Sequence, residues 1–527
     1  MKPGRTLQDI PAANRCKLLA LTTISISLLA LSVTPVFIDP IWASVKYAFR
    51  IAKGTLIYNI FTNEMAGAYV EVYIFNITNI DEFLAGQDHK LKVEELGPFI
   101  YQEFRNNEDF YLDEEEHTMQ YIPRINARFH RNLSVADPKD VTVTVPNIPM
   151  LAMASTMGSY PYWTQMGFNM LVNRVDAKSV ITLSAHDLMW GYKDPLIALG
   201  NTLLPGWINF ENLGMMDRLY DQKVRDIVKV GTSEADKFRI KTVNGEGGIR
   251  NRGYDPNIRD HCNTFEDTYE GLAYPTDLTP ETKLRLYRNV FCRILDLEYN
   301  GSKDMEFGAK GFIYRLSNGT FRKSSENECL CGKVCLDGMT DLSTCFYGFG
   351  VTFSQAHFLD VNPALYERID GVKPDFDKHG SEIIVEPNLG SVMDTRLTLQ
   401  LNLVVDNADF NVRTKPFSNM IIPVLYFKIV QPELPEETKN AFGNLYLMYP
   451  QVIIAMQVAL LVLAVALLAY AVRFVRVAWI CKKALGFQVN NENPALGPEQ
   501  PLMEENANFV VEIISSKHFV DKKHERA

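Results

Sequence analysis

The chain has 527 residues, of which 47% are hydrophobic, and a formal net charge of -10. That length allows one large domain or two with a sizeable core. The acidic balance argues against a nucleic-acid partner, although local basic patches can still meet anions because fields are set locally.

In chain order, the first element is an apolar run, Leu18 to Ile38, of 21 residues without a charge. About 20 helical residues cross a bilayer core, so 18–38 reads as a transmembrane helix behind a cytoplasmic N-terminus, 1–17. The run is longer than the roughly 7 to 15 apolar residues of a signal peptide, and no clean A-x-A site follows, which favours an uncleaved anchor. Next, Ile41, Val45, Phe49, Ala52 and Leu56 recur at helical spacing with Lys46, Arg50 and Lys53 on another face. This reads as a basic amphipathic helix, docked on a core through its apolar face or resting on headgroups through its cations.

From Ala68 to Val145 the segments AYVEVYIFNI, GPFIYQEF, TMQYIPRINARF and VTVTV are rich in β-branched and aromatic residues and read as strands. The acidic stretch Asp113 to Glu116 between two of them reads as a solvated hairpin loop. Pro149 to Leu188 turns helical and Met-rich, suited to core filling or to an adaptable surface. Beyond it, to about residue 430, short strands mix with turns and a few short helical candidates such as Pro280 to Ile294. No tandem repeat of roughly 20 to 50 residues is visible.

A second charge-free run of 21 residues, Val452 to Val472, gives the second span, 452–472. The intervening 39–451 then lies on one side of the membrane. Lys2, Arg5, Arg15 and Lys17 precede the first span and Arg473, Arg476, Lys482 and Lys483 follow the second, so the positive-inside rule places both termini in the cytoplasm. The polar tail, 473–527, reads as disordered.

Six of the eight cysteines, Cys262, Cys292, Cys329, Cys331, Cys335 and Cys345, cluster within 262–345. An even, extracytoplasmic set reads as disulfides rather than a thiolate metal site, and neither metal nor cofactor is expected. Cys16 and Cys481 are juxtamembrane, either S-palmitoylated or plain thiols. The sequons at Asn76, Asn132, Asn300 and Asn318 all fall in the predicted ectodomain.

Motifs of catalysis are missing: there is no G-x-S-x-G, H-E-x-x-H or P-loop pattern, and Gly245-Glu246-Gly247-Gly248 lacks the third glycine of a dinucleotide fingerprint. A channel would need a polar lining, and the second span offers only Gln457. Thr23, Ser27, Ala30 and Thr34 in the first span and Ala455 and Ala459 in the second read instead as packing faces, which would also allow homo-oligomers.

Several short motifs then line up: Val72-Tyr73-Ile74-Phe75-Asn76, Gly97-Pro98-Phe99, Leu188-Met189-Trp190-Gly191-Tyr192-Lys193-Asp194-Pro195, His357-Phe358-Leu359, Ile369-Asp370-Gly371, Glu386-Pro387, Leu399-Gln400-Leu401-Asn402 and Ile422-Pro423. In this order between two terminal spans, the chain resembles the class B scavenger receptor family. The resemblance implies an α+β fold: an irregular antiparallel β-barrel core, a membrane-distal helical bundle near 150–185, and an internal lipid tunnel. It implies disulfides joining Cys262 to Cys329, Cys292 to Cys345 and Cys331 to Cys335.

It further implies a non-enzymatic receptor at the plasma membrane, or alternatively an endosomal or lysosomal one. Such a receptor would bind fatty acids, sterols, carotenoids or lipoproteins and pass them to the membrane; the alternative is a phagocytic or adhesion receptor recognising protein or particle ligands at the apex. Where some members carry an apical lysine cluster for anionic ligands, this chain offers Arg174 and Lys178, offset by Asp176. The stretch Glu499-Gln500-Pro501-Leu502-Met503 has the wrong spacing for an acidic dileucine signal.

Overall fold

The computed structural model describes residues 12–203, 211–250, 255, 257, 261–324, 328–331 and 335–489. Lys2, Arg5 and the 499–503 stretch lie outside them. The chain divides into two units, Asp39–Val452 and a pair of terminal helices.

In the larger unit one sheet carries the core. Its order runs from Thr268–Tyr269 through Leu284–Arg288, Arg293–Asp304, Lys310–Leu316, Glu382–Glu386, Ser391–Val405, Met420–Val430, Met65–Ile77, Leu91–Asp113 and Thr118–Phe129 to Val228–Gly231 and Ile240–Val243. Neighbours pair antiparallel apart from the first two strands. Beside the two end strands, Arg239 meets Asp267 at 2.9 Å. The sheet is thus a nearly closed, barrel-like wall, which leaves few unpaired edges. The strand readings between Ala68 and Val145 all match strands, and the acidic stretch Asp113 to Glu116 runs from the end of one strand into the turn of residues 114–117 before the next.

Ser391–Val405 is the pivot of this wall. Side chains alternate across a strand, yet every residue from Leu397 to Val405 is buried, so both faces are interior. Leu397, Leu399, Leu401 and Leu403 face one interior. On the opposite face Gln400 Oε1 accepts the main-chain N–H of His357 at 2.7 Å, Gln400 Nε2 donates to Asn402 Oδ1 at 2.7 Å, and Asn402 Nδ2 donates to Ser354 Oγ at 3.0 Å. Those bonds hold His357 and Phe358, whose φ angles are 53° and 58°, a left-handed conformation that non-glycine residues take only when surroundings impose it.

Two departures from the sequence reading concern short helices. Pro280 to Ile294 is mostly not helical: Leu284–Arg288 is a strand, with Leu284 and Leu286 buried and pairing with Leu297 and Leu295, and only Asn289–Phe291 makes a 3-10 turn. The alternation in LRLYR fits a strand, and the paired neighbour outweighs weak helical propensity. The amphipathic segment forms two helices rather than one, Pro40–Ala48 and Leu56–Thr62, with Gly54 at φ 81° between them. Ile41, Trp42, Val45 and Phe49 pack on a cluster around Ile384, Met393 and Phe442, while Lys46 pairs with Asp277 at 2.7 Å. Its apolar face therefore docks on the core, and one of its cations is already engaged.

The Met-rich stretch divides between core and surface. Ile148–Met157 is core, with Met150, Leu151, Ala152 and Ala154 fully buried. Tyr162–Arg174 instead leaves Tyr162, Trp163, Met166 and Met170 exposed.

The terminal unit pairs Ala12–Phe37 with Tyr449–Val489, the latter continuing well past the predicted span into what composition assigns to a disordered tail. Both helices are long and apolar enough to cross a membrane. The seam differs from the small-residue faces read from sequence. Leu18, Ser25 and Ser32 are buried, as are Ala464 and Ala471, whereas Thr23, Ser27, Ala30, Thr34, Ala455 and Ala459 are exposed. A seven-residue spacing keeps one stripe on the partner, and Ser25 Oγ donates to the Ala464 carbonyl at 2.7 Å. Thr23 and Thr34 hydroxyls satisfy themselves on carbonyls of their own helix, so they need no partner.

Three disulfides join Cys262 to Cys329, Cys292 to Cys345 and Cys331 to Cys335, with sequence separations of 67, 53 and 4. Loop-closure entropy makes the longer two worth about 4 kcal/mol each and the short one about 2 kcal/mol. Replacing Cys331 and Cys335 with serine is therefore expected to lower the melting temperature less than replacing Cys262 and Cys329, as measured by thermal denaturation of the detergent-solubilised chain. Gly371 has φ 101°, and a Cβ there would sit 1.9 Å from the Val93 carbonyl. Gly371→Ala is expected to destabilise the fold by about 2 kcal/mol or more, read as a loss of melting temperature without change at the distant disulfides.

Candidate functional site

The inward face of the wall encloses a cavity of about 510 Å³, within the range of small-ligand sites. Leucines 397, 399, 401 and 403 line it from the pivot strand, and Phe427 and Ile429 from its neighbour. Ile148 and Ile197 contribute from helices Ile148–Met157 and Pro195–Leu203. Asp194 places the latter helix: its carboxylate accepts the N–H groups of Leu196 at 2.8 Å and Ile197 at 3.3 Å. Burial raises the Asp194 pKa despite those bonds.

Within this apolar lining lies a paired polar cluster. Arg105 Nη2 meets Glu270 Oε2 at 3.0 Å and Arg105 Nε donates to Asn107 Oδ1 at 2.9 Å, while Tyr121 OH also donates to Glu270. Arg288 meets Glu103 at 3.3 Å, and Tyr220 OH donates to Glu103 Oε1 at 2.8 Å. Burial works against the Arg105 charge, but the Glu270 carboxylate outweighs it and raises the pKa further. Burial, reinforced by the Glu103 charge, lifts Tyr220 well above the phenol range, so it stays a donor.

Behind the opposite face of the pivot strand sits a second titratable group, Glu95, His357 and His379, with ligand-type atoms within 4.8 Å of one another. The hydrogen bonds run in the wrong sense for a metal. Main-chain N–H groups of Lys373 and Asp375 donate to Nδ1 of His357 at 3.0 Å and of His379 at 3.2 Å. Each neutral ring then carries its proton on Nε2, whereas a metal on Nε2 needs that proton on Nδ1, donating outward. His357 Nε2 instead donates to Glu95 Oε2 at 2.6 Å, and Tyr426 OH donates to the same oxygen at 3.0 Å. Burial opposes ionisation of Glu95, but the His357 bond prevails and holds its carboxyl low. The rings of His357 and His379 stack at 4.1 Å. His261, Cys262 and Cys329 form another such group, but both sulfurs are in a disulfide.

Arg174 and Lys178 are exposed and do not meet the cavity. Asp176, expected to offset them, pairs with Arg413 at 2.8 Å, a contact across more than 200 residues that sequence spacing could not show. Asn132 and Asn300 are exposed; Asn76 is half-buried in its strand and its Oδ1 accepts the Thr144 N–H at 2.8 Å. Asn318 opens the short helix Asn318–Phe321. Cys16 is exposed and Cys481 half-buried, both as free thiols. Sequence reasoning missed Glu103, Arg105 and Arg288. A signal was present: Phe99, Tyr101, Glu103, Arg105 and Asn107 share one face of a strand by period two and are all buried, so charges stand where an apolar face should continue.

A family model described as the CD36 family matches residues 19–475. Scavenger receptor class B member 1 of Sus scrofa is 26% identical over 426 residues, covering 80% of this chain and 81% of the relative. Lysosome membrane protein 2 of Rattus norvegicus is 25% identical over 462 residues, covering 84% and 93%, and that of Homo sapiens is 25% identical over 430 residues, covering 78% and 85%.

Burial, with the neighbouring His357 imidazole, pushes His379 down to about 4 from an ordinary 6.5. Above the ordinary value both folded and unfolded chains are neutral there. As pH falls toward 4 the unfolded chain binds a proton that the folded state refuses, so stability declines, and Glu95 adds a loss in the same direction as pH passes through the carboxylate range. Going from pH 7 to 5 is expected to cost the fold about 2 kcal/mol at His379, measured by thermal melts, and His379→Gln is expected to remove most of that dependence.

Proposed function

The chain belongs to the CD36 family, and on that footing we propose that it is a membrane-anchored receptor that takes hydrophobic ligands into its sheet-lined cavity and delivers them to the bilayer. The observation that carries this reading is the 510 Å³ cavity walled by Leu397, Leu399, Leu401, Leu403, Phe427 and Ile429. Moving a lipid through water costs about 25 cal/mol per Å² of apolar surface exposed, so an apolar enclosure along the route lowers the barrier. The transfer requires no covalent step. A passage from this cavity to the membrane, with the helices of 148–174 as the membrane-distal capture face, completes the proposal.

The two apolar terminal helices support a two-pass topology, with both termini in the cytoplasm by the positive-inside argument. Residence is proposed at the plasma membrane, with the lysosomal membrane as the alternative, and the name Lysosome membrane protein 2 of one kind of relative speaks for the latter. A second reading, recognition of protein or particle ligands, draws on the exposed Tyr160, Tyr162, Trp163, Met166 and Met170 around one helix, since aromatic and methionine side chains are enriched at interfaces.

Solvent extraction of the purified full-length chain followed by mass spectrometry is expected to release lipid. Leu219→Trp, at a half-buried position of the cavity wall, is expected to reduce the amount about tenfold through lost space. An empty chain that also refuses labelled oleate, oleyl alcohol and sterol sinks the transfer reading and favours surface recognition.

A further inference from the structure

The charges facing the cavity balance. Among the described residues, four arginines line it, Arg105, Arg124, Arg218 and Arg288, against four carboxylates, Glu103, Asp221, Asp226 and Glu270, with neither lysine nor histidine. Each arginine is engaged. Arg105 holds Glu270 and Arg288 holds Glu103. Arg124 meets Glu108 at 3.2 Å and donates to the carbonyls of Gln222 and Val224, and Arg218 meets Asp217 and, at 3.4 Å, Asp221. The two central pairs are also deeply placed: side-chain exposure is 5% and 12% for Arg105 and Glu270, and 18% and 7% for Arg288 and Glu103.

We propose that this cavity selects uncharged amphiphiles, such as long-chain alcohols, esters and sterols, over long-chain carboxylates, and that Glu270 and Glu103 set the choice by occupying the guanidinium groups of Arg105 and Arg288. The proposal rests on the lipid-receptor reading above. A carboxylate entering the cavity leaves water and finds no unpartnered cation, and an ionised group buried without a partner is strongly disfavoured. It cannot take over Arg105 or Arg288 without stranding Glu270 or Glu103 as an unpaired buried charge. A hydroxyl or ester meets no such obstacle. Carboxylate oxygens keep spare lone pairs in these pairs, and the guanidinium keeps spare N–H groups, so a neutral head can donate to one and accept from the other.

The test compares tritiated oleate and oleyl alcohol on the full-length chain in nanodiscs at pH 8. The chain length is equal and only the head differs. Oleyl alcohol is expected to bind about tenfold more tightly. Glu270→Gln, which preserves shape and frees Arg105, is expected to raise oleate affinity relative to the alcohol by about tenfold, and Glu103→Gln to act the same way through Arg288. Glu64→Gln, which breaks only the exposed Arg128 pair, should leave the ratio unchanged.

A second measurement does not depend on the variants. In the native chain, oleate binding should strengthen as acidification neutralises the ligand, while alcohol binding stays comparatively flat. Oleate bound as tightly as the alcohol at pH 8, or an affinity ratio indifferent to both glutamine variants and to pH, overturns the selection. Failure to bind either lipid overturns the receptor reading instead.

Discussion

A strand whose two faces are both interior makes two incompatible demands on the same run of residues, and Ser391–Val405 meets them by alternation. Its leucines supply apolar wall to the cavity, while Thr398 and Gln400 on the reverse, and Asn402 at a register shift that also touches the cavity, are fully buried and must find hydrogen bonds. Thr398 takes its partners from His379 and Ser381, and Gln400 and Asn402 take theirs from the 354–357 loop. That loop supplies His357 to the Glu95–His357–His379 group and Thr398 holds the His379 main chain, so the titratable cluster and the cavity wall lie on the two sides of a single β-strand. A slip of one residue would reverse both faces at once.

The same duality governs charge. The cavity is apolar over most of its wall, yet four buried ionic side chains sit in it as two pairs with phenol donors completing their shells. Buried pairs contribute little to stability over apolar packing, and they fix geometry instead. In the proposed selection their value lies in what they deny a ligand, since the positive charge of Arg105 and Arg288 is already paired.

Much of this was legible in the sequence, and the exceptions have physical causes. The terminal apolar runs and the β-rich stretch from Ala68 to Val145 declare themselves because period and length are local properties. Motif residues such as Gly97 and Gly371 turn out to stand where a Cβ would strike the carbonyls of Val72 and Val93, and the resemblance located them without giving that reason. Pro280 to Ile294 was misread because a short apolar run carries no strong period and its partner strand decides. The helix seam was misread because hydroxyl and small residues mark a packing face only when they are not already satisfied on their own backbone, as Thr23 and Thr34 are. The cavity ion pairs join residues 165 and 185 positions apart, and only the fold brings such partners together.

Cys292 and Cys345 are both part of the cavity wall. Every other point of that wall is kept in place by hydrogen bonds and packing, which open and close on thermal fluctuation. Here a covalent bond clamps the start of the Arg293–Asp304 strand to the segment of residues 344–349 that faces the same space. If ligand passes in and out as proposed, the movement that admits it falls to other parts of the rim. In the proposed transfer the disulfide would be the fixed jamb of the doorway, with any swing on the far side.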